Sequence, residues 1–380
     1  MATPEVFGHG APERFYSKTL SPTRVNPSTK ETQESLKRSF AKYLASDKAA
    51  AFGKLFSPSK HLAYEEPKQI HSMEDIGYPA SNGISPVAVS EPFQLFSEEA
   101  INIMRSEILQ KEVQDNYSFT SDIAPRQIRG YAPKHGKFIF EAWKNPETLA
   151  IISKIAGVDL VPVMDYEIGH VNMSLPGKKN DYDNKLMISE EDDEPIVGWH
   201  RDSYPFVCVL MMSDTTGMIG GETALRAGNG EIMKVRGPTK GCGVVLQGRY
   251  IDHQALRAYG GQERMTMVTS FRPRSAGLRN DSVLTTVRPI SNLSDLYGQT
   301  MEYELENCEV RIRDMLKHIR DSMKAGATDV KAIKAFLDFE IKTLNHLKTE
   351  IVDETSVQKG RLAEVCAEAA AGSVKRKRIE

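Results

Sequence analysis

The chain has 380 residues, a formal net charge of -2, 40% hydrophobic residues and 26% charged residues, which is typical of a globular protein. This near-neutral balance excludes a whole-surface field for nucleic acid or an anionic membrane, and no apolar run approaches the roughly 20 residues of a membrane helix. The four cysteines lie at least 34 residues apart, and the N-terminus lacks the basic and apolar regions of a secretion signal. We therefore expect a cytoplasmic protein with no nucleic-acid or membrane partner.

The N-terminal part predicts an arm followed by helices. Residues 1–30 contain four prolines and no apolar periodicity, which predicts a disordered arm. The apolar spacing from Lys30 to Phe56 predicts a helix. The other elements predicted before residue 160 are a short strand at Pro86–Phe93, a helix capped by Ser97 that runs to about Lys111, and a helix from Asn145 to Ile155.

Short strands are predicted next. Apolar and β-branched runs separated by Gly, Pro and Asp/Asn turns suggest a sandwich or barrel over about residues 160–274. The segment 176–197 contains seven acidic residues and few large apolar ones, so it is either a solvated loop or a lid beside the site described below. The runs are Leu160–Met173, Tyr204–Met212, Gly230–Val235, Gly243–Ile251 and Arg264–Phe271.

The C-terminal part returns to helical spacing. Apolar residues recur at helical intervals on both sides of Ala325–Ala327, and Thr328 or Asp329 caps the second helix. We expect a helical hairpin over residues 293–365 that packs on the same domain or pairs two chains as a homodimer. Residues 366–380 form a basic tail that includes Lys375-Arg376-Lys377-Arg378.

Three residues predict a metal site. His200 and Asp202 lie two residues apart at the start of an apolar strand, so their side chains emerge on the same face of an extended chain. His253 follows another apolar strand, and an antiparallel barrel can bring it beside them. Two imidazoles and one carboxylate on one side of a cavity form the facial triad of Fe(II) sites, whereas structural zinc more often takes a fourth protein ligand.

Arg264 and Thr266 follow at the start of the strand RMTMVTSF and share one face of it. An oxygen-activating Fe(II) site needs electrons, which a bidentate 2-oxo acid supplies on decarboxylation. The distal carboxylate of such an acid needs a planar, permanently charged partner and a hydroxyl, which Arg264 and Thr266 provide. Arg272 and Arg274 compete for this role, and the eleven-residue spacing from His253 selects Arg264.

The motif His200-x-Asp202, a gap of 50 residues, His253 and then Arg264-x-Thr266 resembles the iron(II)/2-oxoglutarate-dependent oxygenases. The segment WHRDSYPFVCVLMMSD with GGETALR and GRYIDHQALR is similar to fungal members from natural-product pathways. The resemblance implies an α+β protein with a double-stranded β-helix core (a jelly roll, cupin-like) over about residues 160–274, within an oxygenase domain at 31–292 wrapped by N-terminal and C-terminal helices. It also implies Fe(II), 2-oxoglutarate and O2 as cofactors.

The sequence also allows two alternative functions, and it suggests which residues contact a substrate. His200-Arg201-Asp202 also spells the HRD of a kinase catalytic loop, but such a loop needs Asn where this chain has Val207. The alternative hypothesis to an enzyme is a catalytically inactive jelly roll that serves for binding or assembly. For the enzyme, we expect oxidation of a small molecule, an amino acid or a natural-product intermediate, by hydroxylation, desaturation or ring closure with release of succinate and CO2. The expected substrate contacts are Tyr166, His170, Asn172 and Tyr204.

Overall fold

The structure, a computed structural model, describes residues 30–46, 53–122, 124–175, 195–261 and 263–362. The predicted arm up to residue 29, most of the predicted lid (176–194) and the basic tail lie outside the described residues. The helices are α1 Lys30–Leu44, α2 Pro58–His61, α3 Glu98–Ile108, α4 Lys111–Asn116, α5 Ala132–His135, α6 Lys137–Lys144, α7 Pro146–Ala156, α8 Leu293–Lys324 and α9 Val330–Glu350.

The strands are all paired antiparallel. This mixture of helices and antiparallel sheet confirms the α+β class. The strands are β1 Ile70–Ser72, β2 Val87–Ser90, β3 Phe93–Gln94, β4 Ser118–Phe119, β5 Arg126–Ile128, β6 Leu160–Pro162, β7 His170–Ser174, β8 Pro195–His200, β9 Phe206–Met211, β10 Ile219–Gly220, β11 Thr223–Arg226, β12 Ile232–Val235, β13 Cys242–Leu246, β14 His253–Leu256, β15 Ala258–Tyr259 and β16 Arg264–Pro273.

Two main sheets face each other. A ten-stranded sheet has the path β1-β2-β13-β9-β16-β7-β5-β4, with β3 paired to β13 and β6 to β16, and a four-stranded sheet has the order β12-β11-β14-β8. Val207 and Leu246 of the large sheet share a buried cluster with Leu225 and Val235 of the small one. This shared cluster closes the interior between the sheets. A further two-stranded sheet joins β10 and β15.

Alternation along the strands separates an outer core from this interior. On β16, Met265 and Met267 pack into the largest apolar cluster, where α3, α6 and α7 cover the outer face of the sheet. Arg264, Thr266 and Val268 therefore point to the interior, because successive strand side chains emerge on opposite faces. The same two-residue alternation along β9 and β7 determines which of their side chains point to the interior.

Several predicted boundaries were wrong for local reasons. The first helix ends at Leu44 rather than continuing to residue 56. The helix capped by Ser97 ends at Ile108, because Leu109 and Gln110 leave the helical backbone conformation and Gln110 takes the N-cap position of a separate short helix. The run from Leu160 is divided by a 3₁₀ turn at Asp165–Glu167 and by Gly169, which has a φ of 71°. The run from Gly243 stops at Leu246.

The C-terminal helices α8 and α9 form an antiparallel hairpin. Asn292 caps α8 and Asp329 caps α9 through side-chain oxygens that accept backbone N–H groups. Arg311 of α8 pairs with Glu340 of α9, with Nε donating to Oε1 at 2.5 Å and Nη2 to Oε2 at 2.9 Å. The described helices include none long and apolar enough to cross a bilayer.

Candidate metal centre

His200, Asp202 and His253 come together in the structure. Each offers one ligand atom, and these atoms lie within 4.8 Å of one another. Asp202 Oδ1 is 3.7 Å from His200 Nε2 and 3.5 Å from His253 Nε2. Among the described residues this is the one grouping of three or more His, Cys, Asp or Glu side chains with such geometry.

Strand pairing positions the two imidazoles. His200 is the last residue of β8 and His253 the first of β14, and the two are direct partners in the antiparallel register. Their ring centroids are 4.3 Å apart, as expected for a close cross-strand pair. Asp202 lies beyond the end of β8, in the connection to β9. The expectation that the HxD residues open an apolar strand was therefore wrong, since the strand ends at His200.

Backbone carbonyls fix the orientation of both rings. His200 Nδ1 donates to Gly198 O at 2.8 Å, and His253 Nδ1 donates to Ile251 O at 3.0 Å. In each case the carbonyl belongs to the residue two positions earlier. With Nδ1–H engaged in this way, Nε2 carries the lone pair that faces Asp202, which is the orientation that ligating histidines require.

The electrostatics of the three residues suit a cation. Burial and the neighbouring His253 lower the pKa of His200 to about 4, so this imidazole is neutral. Burial alone would raise the pKa of Asp202, but His253 and His200 hold it below its ordinary value. The same carboxylate raises the pKa of His253 despite burial. A bound divalent cation would take the place of the proton that His253 and Asp202 otherwise share.

The two oxygens of the Asp202 carboxylate have different surroundings, because Oδ1 faces both imidazoles and Oδ2 lies against Gly248. The Asp202 N–H donates to Gly248 O at 3.0 Å, and a Cβ on Gly248 would overlap Asp202 Oδ2. That oxygen is buried and has no hydrogen-bond partner among the described residues. A buried carboxylate oxygen without a donor is costly, so the site fits a metal ligand. Sequence reasoning did not find Gly248, because a Gly-Arg pair after a strand resembles an ordinary turn.

An ion pair connects the two ligand-bearing segments outside the site. Arg201 Nε donates to Asp252 Oδ1 at 2.9 Å, and each of these residues is the chain neighbour of a histidine ligand. The Arg226 guanidinium of β11 lies 4.4 Å from the ring centroid of Trp199. The ion pair holds the end of β8 beside the start of β14, and the cation–π contact holds β8 beside β11.

Arg264 lies on the interior face of β16. No acceptor in the described part of the chain pairs with its guanidinium, and burial lowers its pKa. Its Nε is close to Gly221, where an added Cβ would lie 3.7 Å away, so the side chain reaches toward the strand pair that carries His253. Thr266 is 3% exposed on the same face, opposite Asn172 of β7 and Met211 of β9.

The competing arginines have partners. Arg272 donates to Val163 O at 3.3 Å and lies 4.9 Å from the ring centroid of Tyr303 of α8. Arg274 forms a 2.9 Å ion pair with Asp159 at the surface. Of the three arginines that the sequence left open, Arg264 alone has a guanidinium without an acceptor among the described residues.

His170 and Asn172 extend the polar interior. Gln127 Nε2 donates to Asn172 Oδ1 at 2.9 Å, and Arg129 Nη1 donates to His170 Nδ1 at 2.9 Å. Burial and Arg129 hold the pKa of His170 well below its usual range. The neutral ring then carries its proton on Nε2, which is buried without a partner among the described residues. His170 thus offers a hydrogen-bond donor to the interior.

Tyr166 and Tyr204 lie in a different environment. Both belong to a buried cluster with Leu284 and Leu296 rather than to the interior face of β7 and β16. The Tyr204 hydroxyl donates to Glu167 Oε1 at 3.0 Å, and Glu167 also pairs with Arg129. The Tyr166 hydroxyl accepts the Asn292 N–H at 2.8 Å at the start of α8. The geometry gives these two tyrosines packing and anchoring roles.

Comparisons with known proteins give structural likenesses only. No protein-family model matches the chain, and no curated protein matches it. Similar solved structures include an oxidoreductase of the 2OG-Fe(II) oxygenase family from Burkholderia pseudomallei, with a TM-score of 0.29, 14% identity and coverage of 38% of this chain and 65% of that one. The chain thus spans under two thirds of the length of that structure.

Two Streptomyces structures are also similar. AviO1 from Streptomyces viridochromogenes Tue57 has a TM-score of 0.33, 14% identity and coverage of 50% of this chain and 90% of that one. HygX from Streptomyces hygroscopicus, with nickel and 2-oxoglutarate bound, has a TM-score of 0.31, 13% identity and coverage of 47% and 80%. At these identities and TM-scores the likenesses do not assign a function, so the function must be inferred from the site itself.

Proposed function

We propose that this protein is an Fe(II)- and 2-oxoglutarate-dependent oxygenase of a small molecule, with its two facing sheets forming a double-stranded β-helix. The observation that carries the proposal is the convergence of His200, Asp202 and His253 within 4.8 Å, with both histidines oriented by backbone carbonyls. Metal-ligating histidines typically donate their other ring N–H to a backbone carbonyl or a carboxylate in this way.

The donor set favours iron over structural zinc. Two imidazoles and one carboxylate leave the remaining coordination positions for exogenous ligands, and the described residues place no fourth His, Cys, Asp or Glu within the group. Cys208, the nearest thiol in sequence, is buried in the outer core, where burial raises its pKa far above its ordinary value. The Cys208 thiol therefore remains protonated and unsuited to metal ligation.

Arg264 and Thr266 supply the binding site for the distal carboxylate of 2-oxoglutarate. A desolvated guanidinium without a counter-charge attracts an anion strongly, and the Thr266 hydroxyl on the same face adds a hydrogen bond. Arg264 approaches Gly221, in the segment that leads into β11, and Leu225 of that strand pairs with His253.

The residues of this chain would bind and orient the metal, 2-oxoglutarate and the substrate. Fe(II) with 2-oxoglutarate and O2 would supply the oxidation of an unactivated C–H bond, with release of succinate and CO2. The protein holds the ligands in one orientation, and the apolar interior around Val207 and Leu246 keeps bulk water away. Placement of the substrate decides whether hydroxylation, desaturation or ring closure follows.

The substrate we propose is a small polar molecule, an amino acid or a natural-product intermediate. The interior presents the His170 donor and the Asn172 and Gln127 amides beside Thr266. Arg129 is neutralised by Glu167, so this wall offers hydrogen bonds rather than a net charge. Such groups select a ligand by the positions of its polar atoms.

Anaerobic addition of Fe(II) and 2-oxoglutarate to the protein tests the proposal. We expect a visible metal-to-ligand charge-transfer band that needs both additions, and succinate release under oxygen that increases with the correct member of a metabolite library. No band and no succinate would refute the oxygenase. A band without succinate for any substrate would instead support the inactive binding module.

A further inference from the structure

The C-terminal hairpin packs on the rest of the chain with one face. On α8, Leu296, Thr300 and Tyr303 are buried against that body. On α9, His346 Nε2 donates to Ser282 O at 2.7 Å, and Glu350 pairs with Arg288 at 2.5 Å. The opposite face of the hairpin has no contact with the described body.

This outer face is apolar. Its eight large side chains are between 43% and 66% exposed. At 3.6 residues per turn, the four on α8 lie within about 40° of one another around the helix axis, and the four on α9 within about 60°. Each helix therefore carries one stripe. The stripes comprise Leu305, Ile312, Leu316 and Met323 on α8, and Val330, Leu337, Ile341 and Leu344 on α9.

The two stripes form one surface. On both helices the stripe is rotated in the same sense from the seam that contains Arg311 and Glu340. Because the helices run antiparallel, rotations in the same sense bring both stripes to the same side. Eight half-exposed side chains leave several hundred Å² of apolar surface, on the order of the ~800 Å² that each partner contributes to a standard interface.

The spacing of each stripe is the same in both directions. On α8 the intervals from Leu305 to Met323 are seven, four and seven residues, with Asp314 at the midpoint. On α9, Val330 and Leu344 lie seven residues before and after Leu337, which is the midpoint of that stripe. Such symmetric spacing makes each stripe complementary to an antiparallel copy of itself.

Both midpoints lie at the same level of the hairpin. Arg311 pairs with Glu340, and three residues onward along α8 and three back along α9 are Asp314 and Leu337. One two-fold axis perpendicular to the helices thus serves both stripes. We propose that a second copy of this chain covers the face across this axis, with α8 antiparallel to α8 and α9 antiparallel to α9 in a four-helix bundle.

Charges on α8 favour the same arrangement. Along the edge of α8 that faces away from α9, acidic residues predominate before the midpoint and basic residues follow it, although Arg313 also lies before the midpoint and pairs with Glu309. An antiparallel copy places acidic residues opposite basic ones, whereas a parallel copy would oppose like charges. Rim charges of this kind determine orientation more than affinity. They are Glu302, Glu306 and Glu309 before Asp314, and Lys317, Arg320 and Lys324 after it.

Sedimentation velocity of the full chain tests the dimer. We expect a species of twice the 42.4 kDa chain mass at micromolar concentration. Leu337→Glu sets two carboxylates against each other on the axis and should weaken the dimer by at least about 100-fold. Val310→Glu is the matched control, because Val310 is 48% exposed on a different side of α8 and should leave the dimer intact. Circular dichroism verifies that both variants fold.

A charge exchange tests the orientation. Glu306→Lys and Arg320→Glu should each weaken the dimer roughly 3- to 10-fold at low salt, because the change acts at two symmetry-related positions, and the double variant should restore it. Additive weakening would refute the antiparallel arrangement. A monomeric full chain at 100 μM refutes the proposal outright. A monomeric full chain beside a dimeric 1–362 chain would show that its own C-terminal segment covers the face instead.

Discussion

The interior around His200 and the outer face of the hairpin depart from ordinary packing in opposite ways. In the interior, Asp202 Oδ2 and His170 Nε2 are buried without partners among the described residues, and Arg264 has no counter-charge there. On the hairpin, large side chains such as Leu337 and Ile341 are exposed. Unpaired polar groups inside and uncovered apolar groups outside both cost free energy in the isolated chain.

The difference between the two regions indicates what relieves each cost. A buried oxygen, an imidazole N–H and a guanidinium are satisfied by ions and small polar ligands, which bring matching charges and hydrogen bonds. An apolar stripe is satisfied only by another apolar surface. The interior therefore predicts ligands and the hairpin predicts a protein partner, and variants of one region should leave the other's behaviour unchanged.

Removal of one metal ligand should have the largest effect. His200→Ala, Asp202→Ala and His253→Ala are each expected to weaken Fe(II) binding by at least about 100-fold and to abolish the charge-transfer band, because two protein ligands remain. Anaerobic titration of Fe(II) in the presence of 2-oxoglutarate measures both. His318→Ala, an exposed histidine on α8, is the control. Retention of wild-type affinity by any of the three variants would contradict its assignment as a ligand.

Removal of the Arg264 guanidinium should have the second-largest effect. Arg264→Ala is expected to weaken 2-oxoglutarate binding about 10- to 100-fold, since a charge-assisted hydrogen bond contributes about 1.5–3 kcal/mol, while Fe(II) binding alone stays unchanged. The absorbance band, titrated with 2-oxoglutarate at saturating Fe(II), reports the affinity. Arg274→Ala, which removes a surface ion pair, should behave like the wild type. A loss of 2-oxoglutarate affinity in Arg272→Ala, with no loss in Arg264→Ala, would assign the binding of the distal carboxylate to Arg272 instead.

A smaller effect is expected from a change at Gly248, which lies against the Asp202 carboxylate. In Gly248→Ala the new methyl group would overlap Asp202 Oδ2, so the carboxylate must turn and Fe(II) affinity should fall about 10-fold, within the range for residues that orient ligands. Gly298→Ala in α8, where a Cβ meets open space, is the matched control and should slightly stabilise the helix. Equal Fe(II) affinity in the two variants would show that Gly248 does not position Asp202.

Glu107 is a buried polar group that is fully satisfied, so it should affect stability and not binding. It accepts the Phe138 N–H at 2.9 Å and the Ile139 N–H at 3.1 Å. Burial raises its pKa from 4.5 to about 7. The folded protein thus holds the proton more tightly than the unfolded chain, so this contribution to stability is full below pH 4.5 and is lost as the pH rises through about 7.

Urea unfolding at pH 4.5 and pH 7.5 measures this contribution. The free energy of unfolding of the wild type relative to Glu107→Gln should fall between the two pH values by on the order of 3 kcal/mol. Equal pH dependence of the two proteins would show that Glu107 does not titrate in this range. Fe(II) affinity should be the same in both.

Much of the local structure could be predicted from the sequence. Ser97 and Asp329 cap helices through their own side chains, a signal that depends only on neighbouring residues. Strand period predicted that Arg264 and Thr266 share a face. The strand boundaries failed where a short-range break intervened, as at Asp165–Glu167 and beyond Leu246, because a turn within an apolar run leaves little trace in composition.

By itself the sequence determined the residue types of the site and their order along the chain, because ligand chemistry and strand period are local properties. The tertiary structure alone decided that His200 pairs with His253 across two strands, that Gly248 lies against Asp202, and that Arg272 and Arg274 have partners while Arg264 has none among the described residues. It also turned the apolar residues of α8 and α9 away from the body. These outcomes depend on contacts between segments far apart in the chain, which no local pattern contains.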